Sequence, residues 1–141
     1  MRMHTAAHVI SEVFHKEAGA LITGNKLDEE KSRIDYNLEW FDRDKINKLC
    51  ERVNEIIEQD FPVKTYFMKR DEASKIPYIT KLANALPPAV DELRIVEIVG
   101  FDVQADGGCH VKSLREIKKV EIVKIENKGK NNRRIYYKLS D

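Results

Sequence analysis

His4 and His8 stand four residues apart near the start of the chain, and Asp106-Gly107-Gly108-Cys109-His110 follows about a hundred residues later. On a helix, side chains at i and i+4 share one face with Cβ atoms about 5–6 Å apart, which lets two imidazoles take adjacent corners of one metal polyhedron. The second segment offers a carboxylate, a thiol and an imidazole within five residues. The reading that uses all of these groups is one divalent metal, zinc first among the candidates, held between distant parts of the chain. The zincin arrangement is excluded, because Thr5 stands after His4 where a glutamate would serve as general base. His15 falls near the same face, but at 1.5 Å per residue it lies about 16 Å along the helix from His4 and cannot share the ion. It is expected to be exposed or to contact a partner.

Gly107 and Gly108 let the backbone turn tightly and present N–H groups without a Cβ in the way. A loop of this kind beside a metal suits ester or amide hydrolysis, which needs a Lewis acid or activated water and donors for an oxyanion. The same five residues also suit a plain glycine turn opened by aspartate.

These groups need elements to carry them. Val9, Ile10, Val13 and Phe14 give an apolar stripe that predicts a helix from His4 to about Glu17, ended at Gly19. Leu21 to about Leu38 reads as extended, with a turn at Gly24-Asn25 and an alternating strand from Arg33 to Leu38. Asp42 is placed to N-cap a second helix carrying Ile46, Leu49, Cys50, Val53, Ile56 and Ile57, so Cys50 is expected to pack in the core. Phe61 to Lys69 predicts a strand, and Asp71 to Leu86 a shorter helix interrupted at Pro77 and closed by Pro87-Pro88. Leu93 to Val99 predicts a strand, and Val120–Ile125 with Ile135–Leu139 a hairpin around Lys128–Asn132. Helices and antiparallel strands without β-α-β alternation predict an α+β fold with two long helices, in one domain over residues 1–141.

The composition is globular, with 42% hydrophobic and 35% charged residues over 141 and a net charge of +1. The charge is unevenly spread: from Val111 onward there are ten cations and four anions. Lys128, Lys130, Arg133 and Arg134 concentrate it on the last hairpin, the pattern of a polyanion-binding surface or of a solvated lysine-rich face. No apolar leader or membrane-length stretch is present, and two cysteines without framework spacing suit a reducing compartment. A cytoplasmic location, with no membrane partner, is the expectation.

His4-Thr5-Ala6-Ala7-His8 with Gly107-Gly108-Cys109-His110-Val111 resembles the H-T-A-x-H and C-G-G-T-H-V motifs of the alanyl-tRNA synthetase editing domain. The motifs stand in the family's order and about its distance apart, so the resemblance covers nearly the whole chain. It points to the free-standing, short form of the alanyl-tRNA editing proteins, because nothing that could be an activation domain precedes His4. The loop of the related threonyl-type domain usually carries proline before the histidine. The resemblance implies the fold of the threonyl/alanyl-tRNA synthetase second additional domain. It also implies a hydrolase that removes serine or glycine from mischarged alanine tRNA, with one Zn2+ per chain.

Two departures matter. Asp106 stands where the family has its metal-binding cysteine, and Cys109 where it has threonine. Carboxylate oxygen is compatible with zinc and broadens tolerance for other divalent ions. Cys109 could ligate instead, but adjacent residues 109 and 110 reach one ion only through an awkward loop. The expected ligands are therefore His4, His8, Asp106 and His110. Gly107, Gly108 and Cys109 are expected to line the substrate site. Thr23 could select a hydroxylated side chain, or be an ordinary strand threonine. Arg115 and Lys118 occupy positions where glycines are common in the family. Two alternatives remain open: a non-catalytic RNA-binding module with a structural zinc, and a metal-dependent hydrolase of a small molecule.

Overall fold

The computed structural model of the protein describes residues 1–79 and 91–140. Helix α1 (Arg2–Ala18) starts two residues before the expected His4 and ends on Gly19, whose left-handed φ of 67° lets its N–H close on the His15 carbonyl. It is buried around most of its circumference, so Val9, Ile10, Val13 and Phe14 meet the core while Thr5, His8, Ser11 and Glu12 are also enclosed. Helix α2 (Arg43–Glu58) is capped as expected: the Asp42 carboxylate accepts the Lys45 N–H at 3.1 Å. Half-buried Cys50 packs against the main core.

Two antiparallel sheets complete the fold. Strands β1 (Ile22–Lys26), β2 (Ser32–Tyr36), β6 (Val120–Asn127) and β7 (Arg133–Leu139) pair in the order β1-β2-β7-β6. Strands β3 (Val63–Lys69), β4 (Glu92–Ile98) and β5 (Asp102–Ala105) form a second sheet in chain order. The main core joins both long helices to Ile34, Tyr36, Ile135 and Tyr137 of the larger sheet and Ile98 of the smaller one. A second cluster gathers Ala73, Leu93 and Ile95 with Tyr66, Met68 and Ile79 on one face of the smaller sheet. Among the described residues, no helix is long and apolar enough to cross a membrane.

Three expectations need correction. Gly24-Asn25 is no turn: both residues lie in β1, and the chain reverses over residues 27–31. β1 instead carries a bulge between Ile22 and Gly24, which makes Thr23 the extra residue. Ile22 then faces Tyr36 and Asn25 faces Ile34, so Ile22 and Asn25 share a face that strict alternation would have denied them. The helix expected from Asp71 is only α3 (Arg70–Ala73): residues 74–79 are turns and bends, and the rest of the expected helix to Leu86 with Pro87-Pro88 lies outside the described residues. β5 falls in a stretch for which the sequence predicts no element. Its Asp102 and Gln104 are buried, and Gln104 Nε2 donates to Asp102 Oδ2 at 2.5 Å.

Candidate metal centre

The buried face of α1 and the loop after β5 bring the four expected ligands together. One oxygen of Asp106, Oδ2, lies 3.0 Å from His4 Nε2, 3.1 Å from His8 Nε2 and 2.6 Å from His110 Nε2. The donor atoms of His4, His8, Asp106 and His110 all fall within 4.8 Å of one another. Donors bound to a tetrahedral zinc at about 2.0–2.1 Å lie about 3.3 Å apart, so the group is gathered on the scale of a metal site. Cys109 is exposed and outside the group. Of the two candidates for the thiolate's corner, Asp106 is the one that stands with the three histidines.

Thr5 shows what His110 needs. Its hydroxyl donates to the Met1 carbonyl at 3.1 Å and accepts the Val111 N–H at 3.1 Å, with His110 Nδ1 at 2.9 Å. With the hydroxyl proton committed to Met1, the bond to His110 is made by Nδ1–H as donor, which leaves Nε2 with a bare lone pair. That lone pair sits 2.6 Å from a carboxylate oxygen. Two such acceptors repel unless a proton or a metal ion lies between them, and a divalent ion can take that place. The residues present fit a metal.

The loop is fixed from both sides. A Cβ on Gly108 would overlap the imidazole of His4, so only glycine fits there, whereas a Cβ on Gly107 would meet nothing. Arg94 on β4 donates from one guanidinium nitrogen to the Asp106 carbonyl at 3.0 Å and the Gly108 carbonyl at 2.6 Å. Neither Gly107 nor Gly108 uses its own N–H on an acceptor among the described residues.

Burial alone would raise the Asp106 carboxyl, but hydrogen bonds from His110, His4 and His8 overcome it and hold Asp106 well below the usual carboxylate range. Desolvation pushes His8 below its ordinary value, against its hydrogen bond to Asp106, and so favours the neutral ring that ligation requires. The buried His8 Nδ1 has no hydrogen-bond partner among the described residues.

A cavity of about 260 Å³ opens directly against His4, His8 and Asp106. Ala7 and Ser11 of α1, Ile22 and Asn25 of β1, Ile34 of β2 and Gln104 of β5 also line it. Thr23 does not: as the bulged residue it is exposed, and its hydroxyl donates to Asn132 Oδ1 at 3.2 Å. Asn25 reaches the place expected of Thr23. His15 packs its ring on Tyr78, with centroids 4.2 Å apart, and serves no metal.

The basic hairpin separates into different roles. Arg133 is buried, and its guanidinium donates to the carbonyls of Glu39, Trp40, Gly129 and Asn132 and to Asn127 Oδ1. These bonds commit its guanidinium to holding the backbone together, which leaves it little to offer a phosphate. Arg134 grips Asp35 on β2 through two hydrogen bonds of 2.8 and 3.1 Å. Lys128 pairs with Glu126 at 2.7 Å, and Lys130 is exposed with no ion pair among the described residues. Lys118, where the family commonly has glycine, adopts a φ of 71° that glycine would take without strain.

Thr5, Arg94, Asn25 and Gln104 were not apparent from the sequence. Thr5 left one trace, because a threonine inside a helix is disfavoured and its hydroxyl therefore calls for a partner.

Fold and site together define an α+β domain with a three-histidine, one-carboxylate centre at the mouth of a cavity. Residues 93–136, which carry β4, β5 and the loop with Asp106 and His110, match the family described as the Threonyl and Alanyl tRNA synthetase second additional domain. The chain is 51% identical over 142 residues to the alanyl-tRNA editing protein AlaX-M of Methanosarcina barkeri, covering 100% of this chain and 58% of the relative. It is 46% identical over 137 residues to AlaX-M of Saccharolobus solfataricus, covering 97% and 57%. An alanine–tRNA ligase of Methanococcus maripaludis is 36% identical over 129 residues, which cover 89% of this chain and 14% of the ligase. The chain is thus similar along its length to the alanyl-tRNA editing proteins, and it spans under three-fifths of the length of those it matches.

Proposed function

We propose that this chain hydrolyses the ester of mischarged alanine tRNA, releasing serine or glycine at a metal centre held by His4, His8, Asp106 and His110. The observation that carries the reading is the convergence of three imidazole Nε2 atoms on one Asp106 oxygen beside an open cavity. Similarity over the whole chain to alanyl-tRNA editing proteins supplies the substrate class. A divalent ion, zinc by preference, would supply Lewis acidity toward the ester carbonyl or a bound water.

The chain's own residues do the rest. Thr5 fixes the ring of His110, and Gly108 admits the ring of His4. The uncommitted N–H groups of Gly107 and Gly108 stand ready for an oxyanion, and exposed Cys109 borders them. Ser11, Asn25 and Gln104 give the cavity polar groups that can recognise a serine hydroxyl. The cavity has room for alanine, so discrimination rests on such hydrogen bonds, which reject an analogue lacking the hydroxyl far better than size does. Among the described residues no carboxylate besides Asp106 lines the cavity, which suits assistance by the ion or by a hydroxyl of the tRNA itself. Of the four hairpin cations singled out, Lys128 and Lys130 are left for phosphates. The Lys128 pair with Glu126 lies at the surface and is exchangeable.

Four protein ligands would also suit a structural zinc; the cavity that opens against His4, His8 and Asp106 is what favours the catalytic reading. The decisive experiment is deacylation of Ser-, Gly- and Ala-charged alanine tRNA by the zinc-loaded protein. Release of serine or glycine with alanine spared is the expected result. Spared substrates throughout, with a full metal complement, would leave the structural-zinc reading standing.

A further inference from the structure

Among the described residues, Phe67 is the most exposed large hydrophobic side chain after the terminal Met1, at 67%. Single exposed aromatics are common and by themselves mean little. The register of the smaller sheet places this one. Phe67 of β3 lies opposite Arg94 of β4, and Arg94 lies opposite Asp106, whose N–H donates to the Arg94 carbonyl at 3.1 Å just beyond the Ile95–Ala105 pair. Residues directly opposite in an antiparallel sheet point to the same side. Phe67, Arg94 and the ligand Asp106 therefore form one row on one face. Neighbouring strands lie about 4.8 Å apart, so the row puts Phe67 about 10 Å from the metal ligand, backbone to backbone. On the opposite face, the neighbours Tyr66 and Met68 are packed in the second apolar cluster, so β3 is held in place while Phe67 faces solvent.

An edge aromatic two strands from a catalytic centre, with a guanidinium between them, has the make-up of a base-stacking platform. In an aminoacylated RNA end the ester and the base are separated by one ribose, a span that fits the distance from Asp106 to Phe67. We propose that Phe67 stacks the nucleobase of the terminal nucleoside when its acyl ester lies at the His–Asp centre. The inference rests on the proposed esterase reading for its substrate class and adds the subsite that holds the base. Stacking tolerates any base, so Phe67 confers affinity for a nucleoside end rather than recognition of one base. Arg94 keeps its charge beside the same subsite while its bonds to the Asp106 and Gly108 carbonyls tie the platform to the loop.

The test uses two non-hydrolysable probes, 3′-seryl-amido-3′-deoxyadenosine and the same seryl amide on a ribose without a base, titrated into the zinc-loaded protein. Base–aromatic stacking is worth about 1–3 kcal/mol, so Phe67→Ala should weaken binding of the adenosine probe about 5- to 150-fold. It should leave the abasic probe unchanged, and Phe67→Tyr should keep near-native affinity for both. Phe67→Trp adds an indole to the single native Trp40, and the adenosine probe alone should quench it. Equal weakening of both probes by Phe67→Ala, or no weakening of either, overturns the proposal. So does a wild-type protein that binds the two probes equally. Failure to deacylate mischarged tRNA, with Phe67-dependent binding of the adenosine probe intact, would instead remove the esterase reading and leave the base subsite standing.

Discussion

The His–Asp centre and the basic β6–β7 hairpin are both conspicuous in the sequence, one as spaced ligands and the other as a run of cations. Folding treats them in opposite ways. His4, His8, Asp106 and His110 come from positions over a hundred residues apart and meet around one oxygen. Arg133 and Arg134 sit side by side and go to different structural tasks, Arg133 to backbone carbonyls and Arg134 to Asp35. Ligand spacing is a statement about geometry that a helix and a loop can honour locally. A charge count is silent about partners, and the partners decide whether a cation faces a phosphate or a carbonyl.

The sharpest way to break this contrast is at Arg133. Its removal leaves buried carbonyls without donors, so Arg133→Met should destabilise the protein by about 3–5 kcal/mol. Lys130→Glu on the same hairpin should stay within about 0.5 kcal/mol. Denaturant unfolding measures both, and equal small losses would restore Arg133 to the binding surface.

The second prediction concerns the group that orients a ligand. Outer hydrogen-bond partners typically contribute about 10–100-fold to metal affinity. Thr5→Val should weaken zinc binding by that factor and Thr5→Ser should recover most of it, as read by competition with a chelating dye. A silent Thr5→Val would mean that packing alone holds His110.

The fold was legible where local chemistry decides. The stripe on α1, Gly19 after it, the Asp42 cap and the terminal hairpin all follow from nearest neighbours in sequence. β5 was hidden because its inward residues, Asp102 and Gln104, are polar and satisfied by one another rather than apolar. Gly24-Asn25 carried a turn signal, yet pairing with β2 and a bulge at Thr23 kept both in a strand. In the site, the meeting of His4 and His8 with the 106–110 segment could be read from spacing, while the choice of Asp106 over Cys109 came with the resemblance. Thr5 could not be read, because its role depends on Met1, Val111 and His110 meeting at one hydroxyl. Arg133 could not for the same reason, with partners at positions 39, 40, 127, 129 and 132.

A third prediction uses pH on the metal-free protein. His8 is held below its ordinary pKa by burial, so the unfolded chain takes up its proton first as pH falls through about 6.5. Stability is then fully present above that pH and declines below it, by at most about 1.4 kcal/mol per pH unit for one proton. Asp106, also held low, acts with the same sign in a lower window: its contribution is intact down to about pH 4 and is lost below that. Unfolding curves between pH 7.5 and 5 should show the decline in the wild type and a flatter profile in His8→Asn. A rise in stability toward pH 5 would contradict the assignment.

A smaller effect of opposite sign is expected at Lys118, whose φ of 71° strains any residue with a Cβ. Lys118→Gly should stabilise the chain by about 1 kcal/mol, after subtracting the extra freedom glycine gives the unfolded state. Thermal unfolding checks it, and a loss of stability would mean that the lysine side chain outweighs the strain.

The central claim is that the His–Asp group is a metal centre, and elemental analysis of gently purified protein tests it most directly. The account predicts about one divalent ion per chain in the wild type, retained in Cys109→Thr and lost in His8→Ala and Asp106→Ala. A wild-type protein without metal that also takes up none from added zinc would contradict it, as would a metal that survives Asp106→Ala and leaves with Cys109→Thr.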